Sequence, residues 1–329
     1  MSVPPSETGR IVDNEPGPGK YAIGLPGQGG TLVEAGLHEY KTSSSAEEVF
    51  ETAERIVAEE IPGFSVKDLV FNGPQQALET TLNNHIANTA IYLAKYHALK
   101  EERPDAPEPD VIMPVSMGEC AALEISGVLS QEDTFKVAVR RGMATEKGGK
   151  EFPGCMASIL NLRGGSSQLL EVCRVVREEK GGVVDVSNIN SENELVISGE
   201  VALVEEVMSR LGKDARKMFK LPISFASHCA LMENASQEFA QAIEDMEFKD
   251  PKIPWVMNGE VVTTGDEIKR RMIEGLKTMV NVKGSLQKLQ ELGIAGLIEM
   301  SPKPVTDEVK STFERYAKTA SPELQVLLR

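Results

Sequence analysis

The chain has 329 residues, room for one large domain carrying a smaller one. Its composition, 41% apolar, 26% charged and 5% aromatic, excludes disordered, collagenous and coiled-coil classes. Acidic side chains outnumber basic ones 50 to 35, and the formal charge of −15 argues against nucleic acid as a partner, because the average surface repels a phosphate backbone. Cys120, Cys155, Cys173 and Cys229 have no CxxC spacing, which favours reduced thiols in the cytoplasm over a disulfide framework or a metal site. No run approaches the roughly 18 apolar residues of a membrane span, and the N-terminus lacks the apolar stretch of a signal peptide.

Residues 1–19, rich in Pro, Gly and charge, read as a mobile arm. Tyr21 to Leu25 is a buried-strand pattern that stops in Pro26-Gly27-Gln28-Gly29-Gly30, a turn where backbone amides can approach a ligand. Ser45 and Glu48 form a capping box before the helical spacing of Val49, Phe50, Ala53, Ile56 and Val57. A second helix is expected over 76–99, with His85 and His97 on a surface face, and then a charged, Pro-rich loop. The apolar run Val111 to Val115 feeds through Ser116-Met117-Gly118-Glu119 into a helix over 119–127. From 153 to 224 the pattern is strand, helix, strand, strand, helix, strand, the ferredoxin-like order. Helices near 232–247, 265–276, 283–292 and 306–317 then alternate with strands at 255–257 and 296–299. The expected division is a large α/β domain from 20–150 and 222–329, with an inserted small domain over 151–221.

A serine on a tight turn between a buried strand and a helix presents its hydroxyl, and the next amide lies at a helix N-terminus where negative charge is favoured. Ser116 has that setting, although Pro114 stands where G-x-S-x-G elbows carry Gly. A serine nucleophile needs a base, and only four histidines exist. His38 falls in a polar loop; His228, after the strand-like run 221–226, is the remaining candidate. On spacing alone, a helix-capping Ser116 and a structural His228 remain open readings. Gly17-Pro18-Gly19-Lys20 lacks Walker spacing, and Gly27-Gln28-Gly29 is not a dinucleotide fingerprint.

Taken together, Leu25-Pro26-Gly27-Gln28-Gly29, Ser116-Met117-Gly118-Glu119, Arg141-Gly142-Met143, Pro153-Gly154-Cys155-Met156-Ala157, Asn188-Ile189-Asn190-Ser191 and Ser227-His228-Cys229 resemble, in order and spacing, the malonyl-CoA:acyl carrier protein transacylase family, which includes polyketide synthase acyltransferases. The resemblance implies an α/β fold with a hydrolase-like parallel-sheet core and an inserted ferredoxin-like βαββαβ subdomain. It implies Ser116 as nucleophile and His228 as base, an oxyanion hole from the amides of Gln28 and Met117, and Arg141 as the partner of the malonyl carboxylate. His228 would be oriented by a main-chain carbonyl near Asn281, and Asn188, Asn190 and Phe225 would line the pocket. No bound cofactor is implied: acyl-CoA is substrate, an acyl carrier protein is partner, and a monomer is expected.

The sequence departs from the family in Pro114-Val115 before the serine, in Asn84-His85-Ile86 where Thr-Gln-Pro is usual, and in Ser301-Pro302-Lys303-Pro304 near the end. Phe225-Ala226-Ser227-His228 resembles the form associated with branched extender units, so the choice between malonyl and methylmalonyl stays open. Other readings are a thioester hydrolase on the same fold, disfavoured by retention of Arg141, and a non-catalytic interaction module. An acidic carrier needs a basic dock, for which Lys213, Arg216, Lys217 and Lys220, or Lys269, Arg270 and Arg271, are candidates.

Overall fold

The computed structural model describes residues 19–223, 225–303 and 311–329; residues 1–18 of the expected arm and the start of the expected helix over 306–317 lie outside them. In chain order the elements are β1 (Tyr21–Leu25), α1 (Leu37–Thr42), α2 (Ser44–Glu60), α3 (Thr81–Glu102), β2 (Val111–Pro114), α4 (Gly118–Ile125) and α5 (Gln131–Glu151). They continue with β3 (Cys155–Leu162), α6 (Gly165–Lys180), β4 (Val184–Ser191), β5 (Glu194–Gly199), α7 (Val201–Leu211) and β6 (Ala215–Lys220). The chain ends with α8 (Glu233–Ala242), β7 (Trp255–Met257), β8 (Glu260–Val262), α9 (Gly265–Glu274), α10 (Val282–Glu291), β9 (Gly296–Glu299), α11 (Thr312–Ala320) and β10 (Gln325–Leu328).

Six strands form one sheet in the order β10-β9-β1-β2-β7-β8, parallel except for β8. β1 and β2 are buried along their whole length, as strands covered on both faces must be. Ile23, Leu25 and Ile112 point into a core shared with α2, α3, α4 and α5, while Ala22, Val111 and Met113 point into a second core with α10 and α11. The result is a three-layer α/β/α body. Its central strands end side by side, with Leu25 opposite Pro114, so the loop after β1 and the turn after β2 meet at the carboxyl edge of the sheet, where open α/β folds place ligands. No helix among the described residues is long and apolar enough to cross a membrane.

The second sheet is antiparallel, in the order β4-β5-β3-β6, with α6 and α7 packed on one face around Ala157, Ile159, Val186 and Ile197. Its other face is turned toward the large body, and a bulge decides what that face shows. Val184 and Val186 enter the small core; the register then slips between Val186 and Asn188, so that Ile189 packs on that core while Asn188 and Asn190 are aimed the opposite way. The bulged segment is pinned to the large body by Val280, whose N–H donates to the Ser187 carbonyl at 2.8 Å and whose carbonyl accepts from Ile189 at 2.9 Å.

Three expectations need correction. The cap of α2 is Ser43, two residues before the expected box, with its Oγ accepting from Ala46 N at 3.1 Å. Glu101, from the end of α3, takes the N–H of Ser45 at 2.9 Å, so a distant carboxylate supplies what Glu48 would have given locally. His38 lies on α1, exposed. Finally, α3 is no surface helix: Asn84, His85, Asn88, Thr89 and Lys95 are all buried, because their polar groups find partners inside the protein.

Candidate active site

Ser116 sits in the turn between β2 and α4 with φ at 51°, the left-handed region a β-carbon resists, and this conformation lifts its side chain off the sheet edge. Pro114 is compatible with that elbow. Ile112 donates its N–H to Pro254, beside β7, and Val115 donates to Leu25 O of β1 at 2.9 Å; alternation turns the Pro114 nitrogen toward the β7 side, so β1 loses no bond to it. Gly118 lets α4 start hard against β1. An added Cβ would press into the Leu25 carbonyl oxygen and lie 2.9 Å from that of Pro26. Gly118→Ala is therefore expected to lower stability by about 1–3 kcal/mol and to displace the elbow, to be checked by thermal unfolding together with the rate of acyl-enzyme formation.

The Ser116 Oγ donates to His228 Nε2 at 3.0 Å across 112 residues of sequence. Nδ1 of the same ring faces the Gly275 carbonyl at 2.6 Å; a carbonyl only accepts, so the proton is on Nδ1 and Nε2 is left as the acceptor. His228 also has a left-handed backbone, φ 59°, held by its N–H bond to Leu276 O at 2.9 Å. Gly275 caps the C-terminus of α9, so the imidazole abuts the negative end of a helix, which favours the imidazolium as it forms. Asn281 does not orient this ring. It starts α10, accepting from Gly284 N at 2.9 Å, because that helix needs a cap where the expected carbonyl would stand.

Burial pushes the His228 pKa down to about 4, with the Gly275 bond opposing and the nearby positive Arg141 adding to the fall. The ring is thus neutral, and a competent base, at neutral pH. Protonation waits until the pH is well below 6.5, so kcat/KM should stay level between about pH 6 and 8 and fall on the acid side with its midpoint near 4, to be read from the pH–rate profile.

The amides of Gln28 and Met117 donate to no protein acceptor among the described residues, leaving both available to an anion. α3 steadies the loop that carries Gln28: Tyr92 OH donates to Pro26 O at 3.1 Å, and Thr31 bonds Asn88 at 2.8 Å and Asn84 at 3.0 Å. Asn88 in turn donates to the Met117 sulfur at 3.2 Å, so one buried side chain ties both halves of the amide pair together. A cleft of about 250 Å³ opens over this edge, lined by Gln28, Ser116, His228, Asn188, Asn190 and Phe225 among others. Asn190 donates to Glu194 at 3.2 Å, whereas Asn188 Oδ1 is buried without a partner. Sequence reasoning expected the helix but missed the wall formed by Thr312, Phe313 and Tyr316 of α11, because helical spacing does not show which residues of a helix meet a cleft.

Of the two arginines on α5, Arg140 turns outward to Glu60 and the Ala242 carbonyl, and Arg141 turns inward with 1% of its surface exposed. Arg141 does not line the open cleft. Its Nη1 meets His85 Nε2 at 2.9 Å, Nη2 lies 3.5 Å from Glu119, and Nε has no partner. Burial raises the Glu119 pKa to about 7 against the pull of Arg141, so this carboxyl is a weak rival for the guanidinium. His97 pairs with Glu124 at 3.0 Å, away from these groups. All four cysteines are buried thiols, and Cys120 is pushed by burial up to about 12, which leaves it unreactive beside the elbow. No cluster of metal-ligating side chains occurs among the described residues.

Comparison with known proteins follows the same lines. A family profile described as "acyl transferase domain" matches residues 25–325. The malonyl CoA-acyl carrier protein transacylase of Haemophilus influenzae is 31% identical over 287 residues, 86% of this chain and 88% of its own length. Its namesake from Bacillus subtilis is 28% identical over 304 residues, 91% of this chain and 92% of its own. Among solved structures, an acyl carrier protein S-malonyltransferase from Vibrio cholerae matches with a TM-score of 0.84 at 26% identity, covering 94% of this chain and 96% of the other. Since the matched span runs from the end of β1 to the start of β10 and takes in both the serine elbow and the imidazole it meets, the chain belongs to the acyl transferase family.

Proposed function

We propose that the chain transfers a malonyl-type acyl group from coenzyme A to the phosphopantetheine thiol of an acyl carrier protein through an acyl-serine intermediate, in fatty acid or polyketide synthesis. The observation that carries this reading is the Ser116–His228–Gly275 alignment, which leaves a neutral imidazole nitrogen facing a strained hydroxyl. Ser116 Oγ attacks the thioester carbonyl as His228 Nε2 takes its proton; the C–S bond breaks, and His228 returns the proton to the departing coenzyme A thiolate. In the second half-reaction the carrier thiol gives its proton to His228 and attacks the ester, and the proton then goes back to Ser116. In both, the oxyanion falls to the amides of Gln28 and Met117.

Asn188 and Asn190, aimed by the bulge, would meet the amide-bearing pantetheine arm, and Phe225 would close the acyl end. Arg141 would take the free carboxylate through the parallel pair Nε and Nη2, of which Nε has no partner among the described residues and Nη2 has only the 3.5 Å contact with Glu119. The named relatives, all acting on malonyl groups and carrier proteins, are the reason for choosing these substrates. The test is intact-mass analysis after mixing with malonyl-, methylmalonyl- and acetyl-CoA. A stable malonyl or methylmalonyl increment supports the reading, and the absence of any acyl increment overturns it.

For the carrier, the two basic runs differ. Lys269 is spent on the carbonyls of Glu244 and Met246, and Arg270 and Arg271 on Glu267, Glu274 and Glu260. At the other run Lys220 pairs with Glu205, but Lys213, Arg216 and Lys217 are exposed and form no ion pair among the described residues, with Lys217 lying 5.1 Å over the ring of Phe219. Charge reversal of Arg216 and Lys217 should raise KM for the carrier about tenfold and leave acyl-serine formation from acyl-CoA unaltered. Equal effects on both half-reactions would remove this surface as the dock.

A further inference from the structure

The geometry points to His85 as a positioning residue for substrate selection, one that turns the free edge of the Arg141 guanidinium toward the acyl carboxylate; this rests on the carboxylate role proposed above for Arg141. His85 lies on α3, 3% exposed, at a place where α5 comes close: a Cβ on Gly142 would lie 3.0 Å from Leu82 Cα and 3.4 Å from His85 Cβ. Both ring nitrogens are engaged. Nδ1 sits 2.8 Å from the Thr81 carbonyl, and Nε2 sits 2.9 Å from Arg141 Nη1. A carbonyl can only accept and a guanidinium can only donate, so one tautomer satisfies both: Nδ1–H donates to Thr81, and the Nε2 lone pair accepts from Arg141.

A guanidinium has two edges that offer paired donors, and holding Nη1 decides which one stays open. With Nη1 bound to His85, the open edge is Nε with Nη2, two parallel N–H groups that match a carboxylate. In the structure Nε is buried without a partner among the described residues, and Nη2 reaches Glu119 at 3.5 Å, the long end of the hydrogen-bonding range, so this edge holds one idle donor and one weakly held one. Most buried polar groups are paired, so an idle donor on a buried guanidinium calls for an acceptor, and a bound carboxylate would supply one. An aliphatic side chain at 85 would release Nη1 and let the guanidinium turn toward Glu119 or the Thr81 carbonyl, presenting a mismatched edge. Among the described residues no other side chain hydrogen-bonds Nη1.

The test measures kcat/KM for acylation of the full chain by malonyl-CoA and by acetyl-CoA in the wild type, His85→Leu, His85→Gln and Arg141→Ala. His85→Leu should lower the malonyl-to-acetyl ratio about 10- to 100-fold, and His85→Gln, whose amide oxygen can accept from Nη1, should hold it within about threefold of wild type. A His85→Leu ratio equal to wild type, or a His85→Gln ratio as low as that of His85→Leu, overturns the assignment. Should His85→Leu fail to fold, nitrogen NMR of the wild-type imidazole decides instead: a ring protonated at Nδ1 alone agrees, and one protonated at Nε2 overturns it. An Arg141→Ala ratio equal to wild type would remove the carboxylate reading itself, and this assignment with it.

Discussion

Replacing Ser116 by Ala is expected to abolish the acyl adduct seen by mass and to cut transfer by at least about 10³-fold. The reason is chemical: among the described residues no other hydroxyl bonds the His228 Nε2 atom, which would be left facing a methyl group. His228→Ala should cost a comparable factor, and the double variant little more than either single one, because hydroxyl and base act as one unit. A full acyl increment on Ser116→Ala would place the nucleophile elsewhere. The same position carries a stability expectation. At φ 51° Ser and Ala are both strained and Gly is not, so Ser116→Gly should unfold at a higher temperature than Ser116→Ala, by about 1 kcal/mol.

Arg141→Ala should shift preference from malonyl toward acetyl by about 10²-fold, the factor expected when one member of a buried charge pair is truncated. Two further changes should accompany it. Arg141 helps to depress the His228 pKa, so without it the acid limb of the pH–rate profile should move to higher pH. Glu119 would lose the one attraction that opposes its burial and hold its proton to still higher pH. A changed preference with an unmoved acid limb would mean that Arg141 acts on substrate alone.

The elbow was readable because it obeys local rules: an apolar run, a turn and a helix in immediate succession give β2, Ser116 and α4, and the strands at 255–257 and 296–299 stand where their apolar runs lie. The antiparallel sheet followed from the strand, helix, strand, strand, helix, strand order over 153–224. The β8 strand was missed although Asn258-Gly259, with φ of 52° and 87°, is the two-residue turn that announces a hairpin. What pattern could not reveal is which polar residues pair with one another. α3 carries enough Asn, His, Thr and Lys to read as solvated, and only tertiary packing shows Asn84, Asn88 and Thr31 bonding as a closed group while His85 finds Arg141. The partner of His228 was hidden for a different reason. It is a carbonyl, which every residue possesses, so no letter in the sequence marks Gly275.

That anonymity has an outcome for how the enzyme can be altered. An aspartate in the same place could be lost through a single codon change; a main-chain oxygen is carried by any residue, and the constraint at 275 is instead steric, since a Cβ there would lie 2.8 Å from the Arg271 carbonyl oxygen at the end of α9. Alanine scanning cannot isolate this group, because any effect at 275 would report that crowding. Exchanging the 275–276 amide for an ester by chemical synthesis weakens that acceptor, removes only the long 3.4 Å Leu276 N–H bond to Ile273 O besides, and leaves every side chain in place, and so would expose its share of the rate.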